Sequence, residues 1–242
     1  MDFNNQPAFQ TTRGAAAAYE RALRKIARNI GDLTKLMGGD AVIDNPTPLR
    51  QALQNYAETL EPWAVAISGR MLADAERINK RQWKAYSQDI GRELAYEIAN
   101  TETGDAIRDL QRYQVLLIKS LPLEAAQRVQ NIATEALSNG NRYDELKREI
   151  LRTTDVTESR ATLIARTESS RASATLTQVR AQKAGSPGYT WRSHRDKRTR
   201  KSHREMNGRF VAWDDPPTLD NLTGHAGCLP NCRCFAMPIF ND

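Results

Sequence analysis

The amino-acid sequence predicts an α+β protein: an elongated, mainly helical N-terminal body and a small C-terminal α+β domain containing a short antiparallel sheet. Residues 15–184 are dominated by Ala, Leu, Arg, Glu and Gln, with apolar residues three and four positions apart. Residues 185–242 lose this periodicity and contain five of the ten prolines, all three cysteines and all three histidines. A chain of 242 residues forms one large domain or two modest ones. We therefore expect a helical body or arm over 1–119 and a second domain over 120–242, with helices over 120–184 and a β-containing tail over 185–242.

Four helical segments are predicted in the N-terminal body. The first ends before Gly38-Gly39, and Pro46 and Pro48 mark a break after it. The second continues to about residue 72, with an end or kink at Pro62. The third begins near Trp83 and the fourth covers 105–120. The apolar positions that predict these helices are, in order, Ala18, Ala22, Leu23, Ile26, Ile30 and Leu33; Leu49, Leu53, Tyr56, Leu60, Trp63, Ile67, Met71 and Leu72; Trp83, Tyr86, Ile90, Leu94 and Ile98; Ile107, Leu110, Val115, Leu116 and Leu117.

Three further helices are predicted over 122–138, 143–152 and 156–184. Ser120 has the side chain of an N-cap and Pro122 lies near a first turn, so a new helix is expected to begin here. Asn139-Gly140 provides the C-terminal stop of that helix.

The tail is expected to contain short strands. Residues 189–192 and 209–213 alternate apolar and polar side chains, which predicts two strands. Residues 235–240 form a third candidate. Pro238 would place this strand at a sheet edge, because proline has no N–H to donate to a neighbouring strand.

Several classes of protein are not expected from the composition. Hydrophobic residues make up 40% and charged residues 26% of the chain, a soluble globular profile. No stretch approaches the roughly 18 consecutive apolar residues of a membrane-spanning helix. The N-terminal residues lack the basic and apolar regions of a secretory signal. We therefore expect no membrane partner, and neither a secreted enzyme nor a disulfide-stapled miniprotein.

The positive charge is concentrated in one segment. The formal net charge is +6, and residues 191–204 hold seven Arg or Lys residues and one Asp, so this basic segment contains the whole excess. Such a block predicts an anionic partner, most often nucleic acid. The alternative is a solvated loop that pairs with Asp214, Asp215 and Asp220. The candidate DNA-binding residues are Arg192, Arg195, Lys197, Arg198, Arg200, Lys201 and Arg204.

The cysteines and histidines suggest a structural zinc site. Thiolates and imidazoles are the ligands that zinc prefers, and a closed structural site needs four of them. His225, Cys228, Cys232 and Cys234 would suffice, or His203 would replace one of them. In the alternative interpretation, Cys232 and Cys234 alternate along a strand, one buried and one exposed.

Two other groups of polar residues have less specific interpretations. His203 lies among Arg residues and Glu205, and a general-base role with Asp196 or Glu205 as orienting group is one hypothesis. Arg166-Thr167-Glu168 interrupts the last long helix. A surface helix with local ion pairs is the favoured interpretation there, and a buried polar clasp between helix and tail is the alternative.

Several motifs occur in order along residues 159–240, and together they resemble a known family. They are Arg160-Ala161 with Ile164-Ala165-Arg166-Thr167-Glu168; Tyr189-Thr190-Trp191; Asp196-x-Arg198-Thr199-x3-His203-x3-Asn207-Gly208; and Asn231-Cys232-Arg233-Cys234 before an apolar strand. The combination resembles the head-morphogenesis family of tailed bacteriophages, the minor head proteins typified by the F protein of phage Mu. Members often have Pro-Gly before the last motif, where this chain has Gly224-His225 and, three residues on, Cys228.

The resemblance implies a minor capsid protein inside the phage head, at the portal vertex, acting in procapsid assembly, genome packaging or DNA delivery. The implied partners are the portal protein, the major capsid or scaffolding protein, and double-stranded DNA without sequence specificity; the host cytoplasm is the implied location during assembly. Similar domains also occur fused to bacterial toxin domains, where the shared part is not the toxin. No catalytic residue is implied, so we expect a protein that is not an enzyme. The alternatives are a metal-dependent nucleic-acid-processing enzyme built on His203 and the cysteines, and a passive DNA-binding protein ejected with the genome.

Overall fold

The fold is α+β, as the sequence predicted. The computed structural model describes residues 9–10, 12–37, 42, 45–89, 102–139, 143–194 and 196–240. The helices are α1 (Arg13–Met37), α2 (Thr47–Thr59), α3 (Glu61–Asp89), α4 (Glu102–Asn139), α5 (Tyr143–Leu151), α6 (Thr153–Lys183) and α7 (Lys201–Glu205). The strands are β1 (Gly188–Arg192), β2 (Phe210–Ala212), β3 (Thr218–Leu219), β4 (Leu222–Thr223) and β5 (Phe235–Ile239).

Helix α3 is longer than the sequence pattern predicted. It begins at Glu61, one residue before Pro62, where proline is tolerated because the first helical N–H groups have no partner within the helix. It then runs without a break to Asp89, across the gap expected between the second and third predicted helical segments. The predicted Gly38-Gly39 stop and the stripe positions Ile90, Leu94 and Ile98 lie outside the described residues.

The predicted helix start at Ser120 is wrong, because α4 continues through Pro122. Proline removes one helical hydrogen bond and costs about 3 kcal/mol in a helix interior. The residues around it offset this cost, since Leu121, Ala125 and Val129 are almost completely buried. The Ser120 hydroxyl lies 2.9 Å from the Leu117 carbonyl oxygen, so it does not act as a cap. The predicted boundary between residues 119 and 120 falls inside this helix.

Helix α6 ends at a glycine in the left-handed conformation. Gly185 has φ of 81°, its N–H donates to the Gln182 carbonyl at 3.0 Å, and the Ser186 N–H donates to the Ala181 carbonyl at 2.9 Å. Crossed bonds of this kind close the C-terminus of a helix and favour glycine. They explain why the helical pattern of the sequence stops at residue 185.

The three predicted strands form one antiparallel sheet in the order β2-β1-β5. Gly188 pairs with both Ala212 and Ile239, so β1 is central. Pro238 lies on the edge strand β5, as predicted. The strands β3 and β4, which were not predicted from the sequence, form a hairpin through Asp220 and Asn221, both with positive φ.

The chain divides into two compact units, each built from segments that are distant in sequence. The first unit comprises Met1–Ala16, Arg70–Gln111 and Arg166–Asp242, and the second comprises Ala17–Gly69 and Arg112–Ala165. The core of the second unit includes Leu23, Ile26, Ile30, Leu49, Leu53, Ile118, Val129 and Ile150. The core of the first unit joins Phe9, Trp83 and Tyr86 to the tail residues Tyr189, Trp191, Trp213 and Met237.

An N-terminal residue is part of the first unit's core. Phe9 is 2% exposed, and its ring centroid lies 5.6 Å from that of Trp83 and 5.5 Å from that of Tyr86. The Tyr86 hydroxyl donates to the Pro238 carbonyl oxygen at 2.5 Å. These contacts hold the tail sheet against α3. None of the helices in the described part of the chain combines the length and apolar character needed to cross a membrane.

Candidate metal centre

One histidine and two cysteines come together in the first unit. His203 is on α7, and Cys232 and Cys234 lie just before β5. The His203 Nδ1 is 3.4 Å from the Cys232 Sγ and 3.6 Å from the Cys234 Sγ. No residue of the three is more than 4% exposed, so the alternative with one cysteine exposed is not what the structure has. We call these three side chains the His/Cys cluster.

The spacing of the His/Cys cluster fits a tetrahedral metal ion. Zinc binds sulfur at about 2.3 Å and imidazole nitrogen at about 2.0–2.1 Å. At a tetrahedral angle these bond lengths place a nitrogen and a sulfur ligand about 3.6 Å apart. The two nitrogen–sulfur distances observed, 3.4 and 3.6 Å, agree with that value. All three ligand atoms lie within 4.8 Å of one another, so the cluster could hold a metal ion.

Hydrogen-bond donors converge on the two sulfur atoms. The Cys234 thiol, the His203 ring and the main-chain N–H groups of Gly227 and Cys234 lower the pKa of Cys232, against the effect of burial. The contact with Cys232, together with burial, raises the pKa of Cys234, and the His194 N–H opposes this rise. These contacts therefore favour the ionised form of Cys232 and the neutral form of Cys234. A bound cation would compensate the resulting negative charge.

The second ring nitrogen of His203 faces a cation. The Arg200 Nη1 lies 3.2 Å from the His203 Nε2. A guanidinium only donates hydrogen bonds, so this contact requires Nε2 to be the acceptor and leaves the ring proton on Nδ1. A metal ion bound at Nδ1 would displace that proton. Metal binding therefore requires the contact between Arg200 and His203 to rearrange.

The loop before α7 is fixed by Asp196. Its carboxylate accepts hydrogen bonds from both terminal nitrogens of Arg233, at 2.6 and 2.5 Å. It also accepts the Arg198 N–H and the Thr199 hydroxyl, each at 3.1 Å. These bonds, that of Arg233 first, hold the pKa of Asp196 well below its usual range. No role was predicted for Arg233 from the sequence, although its position between the two cysteines was an available signal.

The residues that follow α7 connect it to strand β1. The Asn207 side-chain oxygen accepts the Ser193 N–H at 3.0 Å. The Gly208 N–H donates to the Trp191 carbonyl at 2.8 Å, with φ of 86° at the glycine. The motif from Asp196 to Gly208 therefore positions α7, and with it His203, beside the cysteines.

The motif in α6 is a buried clasp, so the interpretation favoured from the sequence is wrong. Thr167 is 6% and Glu168 2% exposed. The Thr167 hydroxyl accepts the Asn231 N–H at 3.2 Å, where Asn231 has φ of 55°. The Ser170 hydroxyl donates to the Cys232 carbonyl at 3.0 Å. Arg171 donates to the Cys228 carbonyl at 3.1 Å and pairs with Glu168 at 3.0 Å. Together these bonds hold residues 228–234, which we call the cysteine segment, against α6. Arg166, the first residue of the motif, is exposed.

His225 lies outside the His/Cys cluster, which corrects the ligand set predicted from the sequence. Its Nδ1 is 3.2 Å from the Tyr189 hydroxyl and its Nε2 is 3.1 Å from the Trp213 carbonyl oxygen. Both ring nitrogens are therefore engaged. Cys228 is not in the cluster either. Burial raises the pKa of the Cys228 thiol to about 12, which keeps it neutral.

Some cations of the basic segment bind main-chain carbonyl groups. Arg204 donates to the Thr199 carbonyl at 3.1 Å. Arg200 donates to the Pro230 carbonyl and lies 3.8 Å from the Asp220 carboxylate. These residues stabilise the tail itself. Arg192 is partly buried on β1.

Other cations of the basic segment point to solvent. The side chains of Arg198 and Lys201 are 81% and 91% exposed. Lys197 is exposed as well. The remaining candidate, Arg195, lies outside the described residues. Arg198 lies 3.9 Å from the Asp196 carboxylate and Lys201 lies 3.9 Å from the Glu205 carboxylate. Among the described candidates, Arg200 alone contacts one of the three predicted aspartates.

A cavity of about 190 Å³ lies next to the His/Cys cluster. Its wall includes all three cluster residues, together with His194, Arg200, Arg233, Arg198, Thr199 and Asn231. The donors therefore face a small, strongly basic space.

These features define an α+β protein whose first unit contains a buried His/Cys cluster. Residues 127–237 match the family model described as phage Mu protein F like protein. The match confirms the resemblance predicted from the sequence. The match supports a phage head-morphogenesis family for this segment of the chain.

Two curated proteins are similar to this chain. A protein of Haemophilus influenzae described as uncharacterized is 33% identical over 138 residues, which are 57% of this chain and 30% of that protein. NAD(+)–arginine ADP-ribosyltransferase EFV of Enterococcus faecalis is 32% identical over 130 residues, 48% of this chain and 26% of that protein. The chain thus spans less than a third of the length of either relative. No solved structure matches it.

Proposed function

We propose that this chain is a minor head protein of a tailed phage, located inside the capsid at the portal vertex. It acts there in procapsid assembly, genome packaging or DNA delivery, and it is not an enzyme. The family match over residues 127–237 carries the proposal. The transferase activity named for the Enterococcus relative is not part of it, because the alignment covers only 26% of that protein.

The portal protein is the proposed main partner, with the major capsid or scaffolding protein as further partners. The test is co-expression of this chain with the portal and capsid proteins of its own genome, followed by gradient sedimentation. We expect it to migrate with portal-containing particles and to return to the top of the gradient when the portal is omitted. Free protein in both gradients would refute the portal role.

Non-specific contact with double-stranded DNA is proposed for the exposed part of the basic segment. Lys197, Arg198 and Lys201 are exposed cations on one short stretch. Phosphate contacts of this kind give an affinity that falls steeply with salt, with a slope of about −0.9 per contact in a log–log plot. Changing the three residues to Ala should reduce this slope by up to about 3.

A matched control variant removes the same number of exposed charges from another place. Lys25, Arg28 and Lys35 are exposed on α1, and their change to Ala should leave the salt slope unaltered. Equal slopes for the two triple variants would refute the proposed DNA contact. Release of the protein from particles together with the DNA would indicate the passive, ejected form of this function.

A structural zinc ion is proposed for the His/Cys cluster. The sulfur and imidazole donors, their burial and their tetrahedral spacing support it. Such an ion would fasten α7 to the cysteine segment, and its binding energy would stabilise the tail. Elemental analysis of protein purified without chelator should give about one zinc per chain, and well under one would refute the proposal.

Cysteine variants separate the cluster from the neighbouring thiol. Cys232→Ser should lose zinc and destabilise the tail, because zinc binding and folding are coupled. Cys228→Ser is the control, since this thiol lies outside the cluster, and it should keep zinc. Equal zinc contents of the two variants would contradict the assignment.

A metal-dependent nucleic-acid-processing enzyme is the second candidate. One observation favours it: three metal donors face a basic cavity, and catalytic zinc sites use three protein ligands and one open position. This candidate predicts cleavage of DNA with a divalent metal, abolished by His203→Ala. Absence of cleavage with zinc, magnesium and manganese would refute it.

A further inference from the structure

We propose that His194 is the fourth ligand of the metal ion held by the His/Cys cluster, so that the centre is a closed site of two histidines and two cysteines. This inference rests on the zinc ion proposed above. The ligands would be His194, His203, Cys232 and Cys234, a set that sequence order did not reveal because His225 and Cys228 lie closer to the cysteines along the chain.

His194 is placed at the cluster by its main chain. Its N–H donates a hydrogen bond to the Cys234 sulfur, so the residue begins within hydrogen-bond distance of a ligand atom. The same residue lines the cavity of about 190 Å³ that the three cluster side chains face. His194 is exposed, so its ring is not fixed by burial, and ligation would require the ring to turn toward the two sulfur atoms.

The other nearby donors are committed elsewhere. Both nitrogens of His225 are engaged, by Tyr189 and by Trp213. The carboxylate of Asp196 binds two nitrogens of Arg233 at 2.6 and 2.5 Å. A structural zinc ion takes four protein ligands, and among the described residues His194 is the donor at the cavity that remains.

Ligation by His194 gives the metal a position in the DNA-binding surface. His194 and His203 bracket the segment that carries Lys197, Arg198 and Lys201. A metal bound to both histidines fixes both ends of this segment. The ion would then fix both ends of the loop that carries the exposed cations. Ordering this loop would cost less free energy when the cations bind phosphate.

Cobalt substitution of the full chain tests the ligand set. Co²⁺ in a site of two cysteines and two histidines gives visible absorption typical of tetrahedral coordination, together with sulfur-to-metal charge transfer. His194→Ala should change the visible spectrum and raise the zinc dissociation constant at least about tenfold in competition with a chromophoric chelator. His225→Ala is the control, and it should match the parent protein in both measurements.

A rescue variant separates ligation from loss of structure. His194→Cys restores a fourth donor, so it should recover zinc affinity and increase the sulfur charge-transfer absorption above that of the parent. If His194→Ala leaves the cobalt spectrum and the zinc affinity unchanged, or if His225→Ala lowers the zinc affinity instead, the role of His194 is overturned and the zinc proposal stands. Failure of the parent protein to bind either metal would overturn the zinc proposal itself.

Discussion

Gly227 is the position where a single methyl group should disturb the His/Cys cluster most directly. Its φ of 89° lies in the left-handed region, and its N–H donates to the Cys232 sulfur. A Cβ added there would lie 3.1 Å from the Cys234 carbonyl oxygen and 3.1 Å from the Ala174 Cβ. Gly227→Ala therefore combines backbone strain with overpacking.

The two contributions can be separated with a matched glycine. Gly185 has a similar φ of 81°, but a Cβ there would meet nothing within 4 Å. Gly185→Ala should lower the free energy of unfolding by the left-handed penalty alone, about 1–2 kcal/mol. Gly227→Ala should add an overpacking cost of about 1–3 kcal/mol, for a total of about 2–5 kcal/mol.

The assay is urea denaturation of both variants, followed by tryptophan fluorescence, with zinc content measured on the same samples. We expect Gly227→Ala to lose stability and zinc, and Gly185→Ala to keep its zinc. Equal losses of stability in the two variants, with equal zinc, would refute the argument that close packing at Gly227 supports the cysteines.

Three further outcomes are expected. Phe9→Ala should lower the free energy of unfolding by about 3–5 kcal/mol, whereas Leu36→Ala, at a side chain 83% exposed, should change it by less than about 0.5 kcal/mol in urea denaturation. Burial raises the pKa of Glu168, so ionisation of this carboxyl destabilises the folded state as the pH rises above the usual carboxyl range. Glu168→Gln should therefore be at least as stable as the parent protein at pH 7. A large loss of unfolding free energy in Glu168→Gln at pH 7 would contradict this. The pKa of Asp196 is depressed by Arg233, so the contribution of this carboxylate to stability is present above the usual pKa of 3.8 and is lost on acidification. The difference in unfolding free energy between the parent protein and Asp196→Asn should shrink as the pH falls below about 4. A difference independent of pH would contradict the pairing of Asp196 with Arg233.

Most of the long helices and the three strands of the larger sheet followed from local patterns, whereas the hairpin of β3 and β4, the continuity of α3 and the path of α4 did not. Periodicity predicted the helical body, and the edge position of Pro238 followed from its missing N–H. The same rule failed at Pro122, because the burial of Leu121 and Val129 depends on tertiary packing that a single segment does not reveal.

The sequence predicted which residue types form the candidate metal site, but it did not predict which histidine lies beside the two cysteines. The sequence identified Cys232 and Cys234 correctly as neighbours, and it admitted His203 only as a substitute ligand. Chain order favoured His225, yet α7 brings His203 from 29 residues away against Cys232. The clasp at Thr167 had no distinctive signal, since α6 contains several threonines and helix propensity does not separate Thr167 from the others.

The aromatic cluster of Phe9, Trp83 and Tyr86 has a consequence for the segment that matches the family model, residues 127–237. The family match begins at residue 127, so all three side chains come from outside it, although they pack in one core with Trp191 and Met237. On its own, the matched segment would keep the ligands and the motif loops but would expose the apolar face that these three rings cover. A chain that starts at residue 127 should therefore be less stable than the full chain unless another segment supplies an apolar cover.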